Sequence, residues 1–244
     1  MTLKIIKECL MRTSALKQTI AGLCFSLVSF TSQNTLANDT GFQIITLTGT
    51  VTFNDKPVKI RENLVGQGIL KTSAGSTAKV FSKEARTITI LKENSAVEFA
   101  SSTKVPGSFK LLEGASRWVV GKINKDKPVV VTTKSAVMGI RGTEFMATYD
   151  SLMDETEIIS FTGEIEFRRK DKPKNPKIVK TGQWGGVGGR FGKDVGEILN
   201  LKANVLEHYG NATAVETAIP GAEASPEFHG HKIPIGLTGV TDKK

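Results

Sequence analysis

The side chains in this 244-residue chain that could do chemistry are few. Its three histidines are His208, His229 and His231. His229 and His231 flank one glycine and could offer two imidazoles to a metal. A closed metal site wants four donors, and this pair lies in a small, polar, Pro/Gly-punctuated segment, so both read as solvated tail residues. Cys9 and Cys24 are too few for a disulfide framework or a four-thiolate zinc site. A glycine-rich run (Gly182, Gly185, Gly186, Gly188, Gly189, Gly192) invites a phosphate-binding reading. It fails in detail: Lys193 is followed by Asp194 rather than Ser or Thr, and Phe191 occupies the last glycine of a GxGxxG frame begun at Gly186. The run is expected to be a flexible connector with Trp184 pinned on a sheet. No cofactor, metal or catalytic residue is expected, because acids are scattered along strand faces, both cysteines lie near the start and the few histidines lie late in the chain.

The first 37 residues read as an export signal, excluded from the fold. Lys4, Lys7, Arg12 and Lys17 give a basic start, Thr19 to Phe30 an apolar run, and Thr35-Leu36-Ala37 a small-residue cleavage site before Asn38. Met11 is an alternative start, since the chain from there is a complete signal by itself. An apolar run of about 12 residues reaches roughly 18 Å as a helix, short of a ~30 Å hydrocarbon core. Leu23 before Cys24 does not suit lipid-signal processing, and no Arg-Arg pair precedes the run. Cleavage removes both cysteines and lowers the net charge from +9 to +6. The expected location is the periplasm, the cell envelope or outside the cell, with no transmembrane span after cleavage. A basic exported protein is drawn weakly to anionic envelope polymers or headgroups. Nucleic acid is not an expected partner, since two Trp and two Tyr make poor stacking platforms.

The elements that would carry such a surface are strands. A hydrophobic share of 39% argues against wholesale disorder, and a mean hydropathy of −0.12 against a polytopic membrane protein. Gln43 to Phe53 is rich in β-branched residues and ends at Asn54-Asp55, a turn signal. Thr87 to Leu91 alternates, which predicts one buried face, and Val129-Val130-Val131 predicts a strand covered on both faces. Thr143 to Tyr149, Glu157 to Phe161 and Gly163 to Arg168 follow, with Thr162-Gly163 expected to be a tight hairpin. In Glu164-Ile165-Glu166-Phe167 the acids face one way and the apolar pair the other. Lys170 to Lys177 reads as a solvated hairpin loop. The expected fold is all-β, an antiparallel-rich sandwich or roll of many short strands.

One helix is predicted after the sheets. Val195, Ile198, Leu199, Val205, Leu206 and Tyr209 share a stripe at helical spacing, Asp194 and Glu197 make a capping pair, and Gly210 is a stop. It is expected to cover one end of the β core, with partner docking as the alternative. From Asn211 to Lys244 the chain reads as a disordered tail.

Between Val131 and Phe167 the residues become specific. VTTKSAVMGIRGTEF followed by ETEIISFTGEIEF resembles the FecR domain family, with the signature Arg141-Gly142-Thr143-Glu144-Phe145 and the closing turn Thr162-Gly163-Glu164. Upstream, Leu64 to Thr72, Ala78 to Phe81 and Leu111 to Ala115 resemble the family's earlier strands and turns, so the likeness runs from about Ile44 to Trp184. It implies these divisions: signal 1–37, FecR-like β domain 38–185, connector and helix 186–210, tail 211–244. Read as residues, Gly142 sits where a positive φ or close backbone approach is needed, Thr143 can bond neighbouring backbone, and Phe145 opens a buried face. Arg141, Gly142, Thr143, Phe145 and Gly163 are thus expected to define the fold, Arg141 being the one able to face a partner. The family's best-known members are inner-membrane regulators of iron uptake, with a cytoplasmic sigma-binding segment, one transmembrane helix and this domain in the periplasm. With an export signal at its start, the present sequence is not expected to bind a sigma factor directly. The resemblance implies an exported, non-catalytic module that binds an envelope protein or an anionic surface polymer. The alternative is a component of envelope signalling acting through a separate membrane partner, and an enzyme ranks last.

Overall fold

The computed structural model describes residues 41–100, 107–121 and 129–213. The expected signal, the His229–His231 pair and the expected disordered tail beyond Thr213 lie outside the described residues. The fold is all-β, as expected, with one short α-helix among the described residues.

Among the described residues, seventeen strands form two facing sheets. The strands of sheet I are β1 (Phe42–Thr48), β4 (Asn63–Leu64), β6 (Thr77–Ser82), β7 (Thr87–Leu91), β12 (Glu144–Asp150), β13 (Glu155–Thr162), β16 (Gln183–Val187) and β17 (Leu199–Asn200). Sheet II holds β2 (Val51–Phe53), β3 (Lys56–Pro57), β5 (Gly68–Thr72), β8 (Ala96–Ala100), β10 (Val129–Thr132), β11 (Ala136–Ile140), β14 (Glu164–Arg169) and β15 (Lys177–Lys180). Strand β9 (Ser108–Val120) belongs to both. Its first half pairs with β8 and β10 in sheet II, its second half with β7 and β12 in sheet I. Sheet I runs β4-β1-β6-β7-β9-β12-β13-β16-β17. Sheet II runs β3-β2-β5-β8-β9-β10-β11-β14-β15.

The chain moves between the sheets by arches, connections whose flanking strands face each other across the core. In the N-terminal half the arches are β1 to β2, β5 to β6, β7 to β8 and the bend inside β9, all stacked at one end of the sandwich. In the C-terminal half they are β11 to β12, β13 to β14 and β15 to β16, stacked at the other end. The swap of ends explains the sheet order. Where the two stacks meet, β9 and β10 must run the same way, and theirs is the one parallel pair among the described strands.

Between the sheets lies a continuous apolar core. Sheet II contributes Leu70, Val97, Phe99, Phe109, Leu111, Val131, Met138, Ile165 and Phe167, and sheet I contributes Ile44, Val80, Leu91, Trp118, Phe145 and Ile158. Phe42, Phe99 and Phe109 meet edge to face and tilted. Trp118 stacks on Phe145 with ring centroids 5.1 Å apart. Such aromatic pairs add about 0.5–1.5 kcal/mol beyond their buried area.

Four sequence expectations change here. Gln43–Phe53 is not one strand but two, because Gly49-Thr50 carries the chain from sheet I to sheet II; Asn54 and Asp55, both at positive φ, then turn β2 into β3. Thr162-Gly163 is an arch rather than a hairpin, for β13 pairs with β12 and β16 while β14 pairs with β11 and β15. Strand β7 is buried throughout, with Thr89 facing inward opposite Trp118 and Ile88 and Ile90 on the outer face. In β10, by contrast, Val130 is half-buried. Alternating Thr and Ile predicted one buried face, but both faces of β7 are covered.

The C-terminal segment also departs from the predicted helix. Helix α1 spans Ala203–Ala212, so Asp194 is not its cap and Gly210 lies within it. Val195 and Ile198 are packed against the core instead, with Gly196 N–H donating to Gly186 O at 2.8 Å. The glycine run is likewise no connector at its start, since Gly185 and Gly186 sit in β16, paired to β13. Trp184 is held on the sheet as expected, its Nε1–H donating to Glu157 at 3.0 Å. Leu206 of α1, with Leu201 and Trp184, packs on Met146, Ile159 and Phe161, giving sheet I a third layer over β12 and β13.

Candidate interaction surface

The signature segment forms the first arch of the C-terminal stack. Ile140, at the end of β11, is fully buried. Arg141 and Gly142 are exposed at the corner, where Gly142 has φ 61°, and Thr143 turns back into the core. Phe145 then enters β12 with its ring against Trp118. The next arch lies directly on this one. Gly163 has φ 82°, and a β-carbon there would stand 2.6 Å from Thr143 Cγ2, so only glycine lets the two arches touch. The third arch closes on the second, as Gly163 N–H donates to Thr181 Oγ1 at 2.9 Å and Gly182 N–H to Ser160 O at 2.8 Å.

Gly142, Thr143, Phe145 and Gly163 are thereby brought together in one stack of corners. Thr143 does not act as expected. Its hydroxyl is buried without a hydrogen-bond partner, as is Trp118 Nε1. Its carbonyl does the joining, accepting Val120 N–H at 2.9 Å. Arg141 differs from the other four, since its side chain is exposed and makes no ion pair or hydrogen bond among the described residues.

Two residues to which sequence reasoning gave no role form a mostly buried ion pair. Arg117 on β9 points to the outer face of sheet I, only 5% of its side chain exposed, and meets Glu144 at 2.6 Å. Glu144 is the variable position of the signature. The same guanidinium donates to Gly210 O at 2.9 Å, Thr213 O at 2.8 Å and Thr213 Oγ1 at 2.7 Å, and lies 4.3 Å from the Phe161 ring centroid. It therefore satisfies carbonyls that the end of α1 leaves open and sets a positive charge at the negative end of the helix dipole. The signal was present in Ser116-Arg117-Trp118-Val119-Val120, where a charge in the middle of an apolar strand demands a partner.

At the opposite end of the sandwich, the β12–β13 turn is acidic. Tyr149 O–H donates to Asp154 Oδ1 at 3.0 Å. Burial, then the hydrogen bond and charge of Asp154, with Glu113 and Asp150 beyond, push this phenol up to about 12. Among the described residues no group of three or more His, Cys, Asp or Glu is placed to hold a metal ion. No described helix is long and apolar enough to cross a membrane.

Comparison with known proteins places this architecture. A candidate anti-sigma factor from Parabacteroides distasonis ATCC 8503, solved at 2.50 Å, superposes with a TM-score of 0.50 at 14% identity, covering 59% of this chain and 64% of that one. A candidate anti-sigma factor of the same strain at 1.65 Å gives 0.49 at 15% identity, covering 58% and 63%. The likeness is one of fold, and the matched part is less than two thirds of either relative's length. No curated protein matches the sequence. Residues 69–166, from β5 through the signature arch into β14, match the family model for FecR protein, and this chain carries a FecR domain.

Proposed function

We propose that this chain is an exported, non-catalytic interaction module of the cell envelope, whose FecR domain engages another envelope protein through the corner bearing Arg141. One observation carries the reading. In a family-matched domain, the single signature residue that the fold does not use is a charged side chain held out to solvent beside a rigid stack of arches. A fixed backbone geometry beside an unused guanidinium suits recognition of a carboxylate or other oxyanion, which arginine binds with two parallel hydrogen bonds. The sequence signal at 1–37 supports export, and the net positive charge supports an acidic partner. A second reading, a relay in envelope signalling through a separate membrane protein, is favoured by the fold shared with a candidate anti-sigma factor.

The test is chemical crosslinking of the tagged protein in its host, with mass spectrometry of partners and N-terminus. The reading expects a chain starting near Asn38, linked to an envelope protein. Arg141→Ala should lower that linkage about tenfold, the loss of a charge-assisted contact, and leave the melting temperature unchanged. Retention of the leader in the membrane, or a melting temperature that falls with Arg141→Ala, would sink the reading. A proper N-terminus with an anionic polymer as the only partner would replace the protein with the polymer.

A further inference from the structure

The turn between β12 and β13 presents two apolar side chains at its tip. Leu152 is 95% exposed and Met153 56% exposed, the pair being adjacent in sequence. A flexible loop would let such residues fold back, but this one is fixed. Asp150 Oδ1 accepts both Leu152 N–H at 2.8 Å and Met153 N–H at 3.0 Å. Ser151 N–H donates to Glu113 Oε2 at 3.1 Å, tying the turn to β9. Asp154 follows at φ 50°, and its carbonyl lies against Gly188, where any side chain would collide with it. The tip is held from three sides, so the backbone that carries its apolar groups is already ordered before any partner arrives.

Charge around the tip narrows the partner. Glu113, Asp150 and Asp154 surround it, and none of the three makes an ion pair among the described residues. In a chain of net charge +9 this is a local reversal of sign. An anionic membrane surface would be repelled by such a collar, and a bare apolar pocket would leave the carboxylates facing nothing.

We propose that Leu152 and Met153 form a docking anchor that enters an apolar pocket rimmed by Lys or Arg on a partner protein. The anchor rests on the interaction-module reading and lies at the other end of the sandwich from Arg141, so it is a second contact rather than the same one. Apolar anchors on preorganised turns carry much of the energy of a protein interface, and the surrounding charges set orientation and on-rate.

The experiment places a photocrosslinking residue at position 152 of the full chain in its host, with position 174 on the β14–β15 turn as control. The expected result is an adduct from 152 to an apolar segment of one protein, flanked by Lys or Arg in the mapped peptide. Met153→Asp should cut that adduct at least tenfold, and Glu113→Gln, which keeps an oxygen for Ser151 N–H while removing the charge, should cut it several-fold, while melting temperatures stay near that of the parent. Adducts to lipid, to a second copy of this chain, or to no protein from 152 would overturn the anchor. If position 174 or whole-protein crosslinking still captures an envelope protein, the anchor alone fails and the interaction-module reading stands. If nothing captures a protein, both fall.

Discussion

The two arch stacks solve the same problem with different contacts. Each must carry the chain across a core about 10 Å thick at closely stacked corners. In the N-terminal stack, hydroxyls join the corners. Thr72 Oγ1 accepts Ser95 N–H at 3.1 Å and donates to Lys92 O at 2.5 Å. Ser95 Oγ accepts Ala115 N–H at 2.9 Å, and Ser76 Oγ accepts Thr50 N–H at 2.9 Å. In the C-terminal stack Thr162 and Thr181 play that part, but Thr143 packs by its methyl group and leaves its hydroxyl unbonded. Beside the C-terminal stack, sheet I also bears a third layer, tied down by Arg117 at the seam. Equivalent corners can therefore be sealed by hydrogen bonding or by close steric fit, and the two should fail differently.

The largest effect is expected at the seam. Arg117→Met should cost about 3–5 kcal/mol, because it strands Glu144 in a mostly buried position. Arg117→Met with Glu144→Leu should recover much of that loss, and hydrogen exchange should show α1 losing protection first in the single variant. Next come two close-fitting glycines, one in each stack. Gly114→Ala, at φ 79° and with Asn94 O 2.5 Å from the added carbon, should cost about 3–5 kcal/mol in urea denaturation. Gly163→Ala should cost about 2–3 kcal/mol, because its obstacle is the Thr143 methyl rather than backbone. Adding Thr143→Ser should relieve Gly163→Ala, whereas Ser95→Ala should not relieve Gly114→Ala; equal rescue of both would erase the contrast.

Smaller differences separate the hydroxyls. Thr72→Val should lose about 1–3 kcal/mol, since it leaves buried backbone groups unbonded. Thr143→Val should be neutral or slightly stabilising by the same measurement, as it removes a buried hydroxyl that bonds to nothing. The smallest effect is on pH. With its folded pKa raised from 10.0 to about 12, Tyr149 contributes stability that is whole below pH 10 and is lost as pH climbs through about 12. Tyr149→Phe should flatten that alkaline fall in melting temperature and remove the late phase of tyrosinate absorbance.

Much of this was legible in the sequence. Runs of β-branched residues and the alternation in Glu164 to Phe167 gave the all-β class and the facing of β14 correctly. The signature grouped Gly142, Thr143, Phe145 and Gly163, which the fold does bring together. Sequence could not show whether a turn joins strands within one sheet or across two. Thr162-Gly163 has the composition of a hairpin, and only its packing on Thr143 makes it an arch. The helix was misplaced for a related reason. Val195 and Ile198 continue the apolar stripe of Val205 and Leu206, but tertiary packing holds them extended beside β16. Arg117 and Glu144 lie 27 positions apart, and nothing local joins them.

The Arg117 contacts also impose an order in time. No described strand pair joins residues more than 40 positions apart, the limit set by Phe42 and Ser82. Arg117 reaches Gly210 and Thr213 across 93 and 96 positions. Nearer pairings form with less loop-closure entropy and so form earlier. The arches of each half can close from local contacts, while the α1 end must wait until β9 is fixed and its guanidinium aimed. The seating of a helix end on a charge already held in place is therefore the expected last step of folding, and a chain cut short of Thr213 is predicted to complete its sheets and lack its final latch.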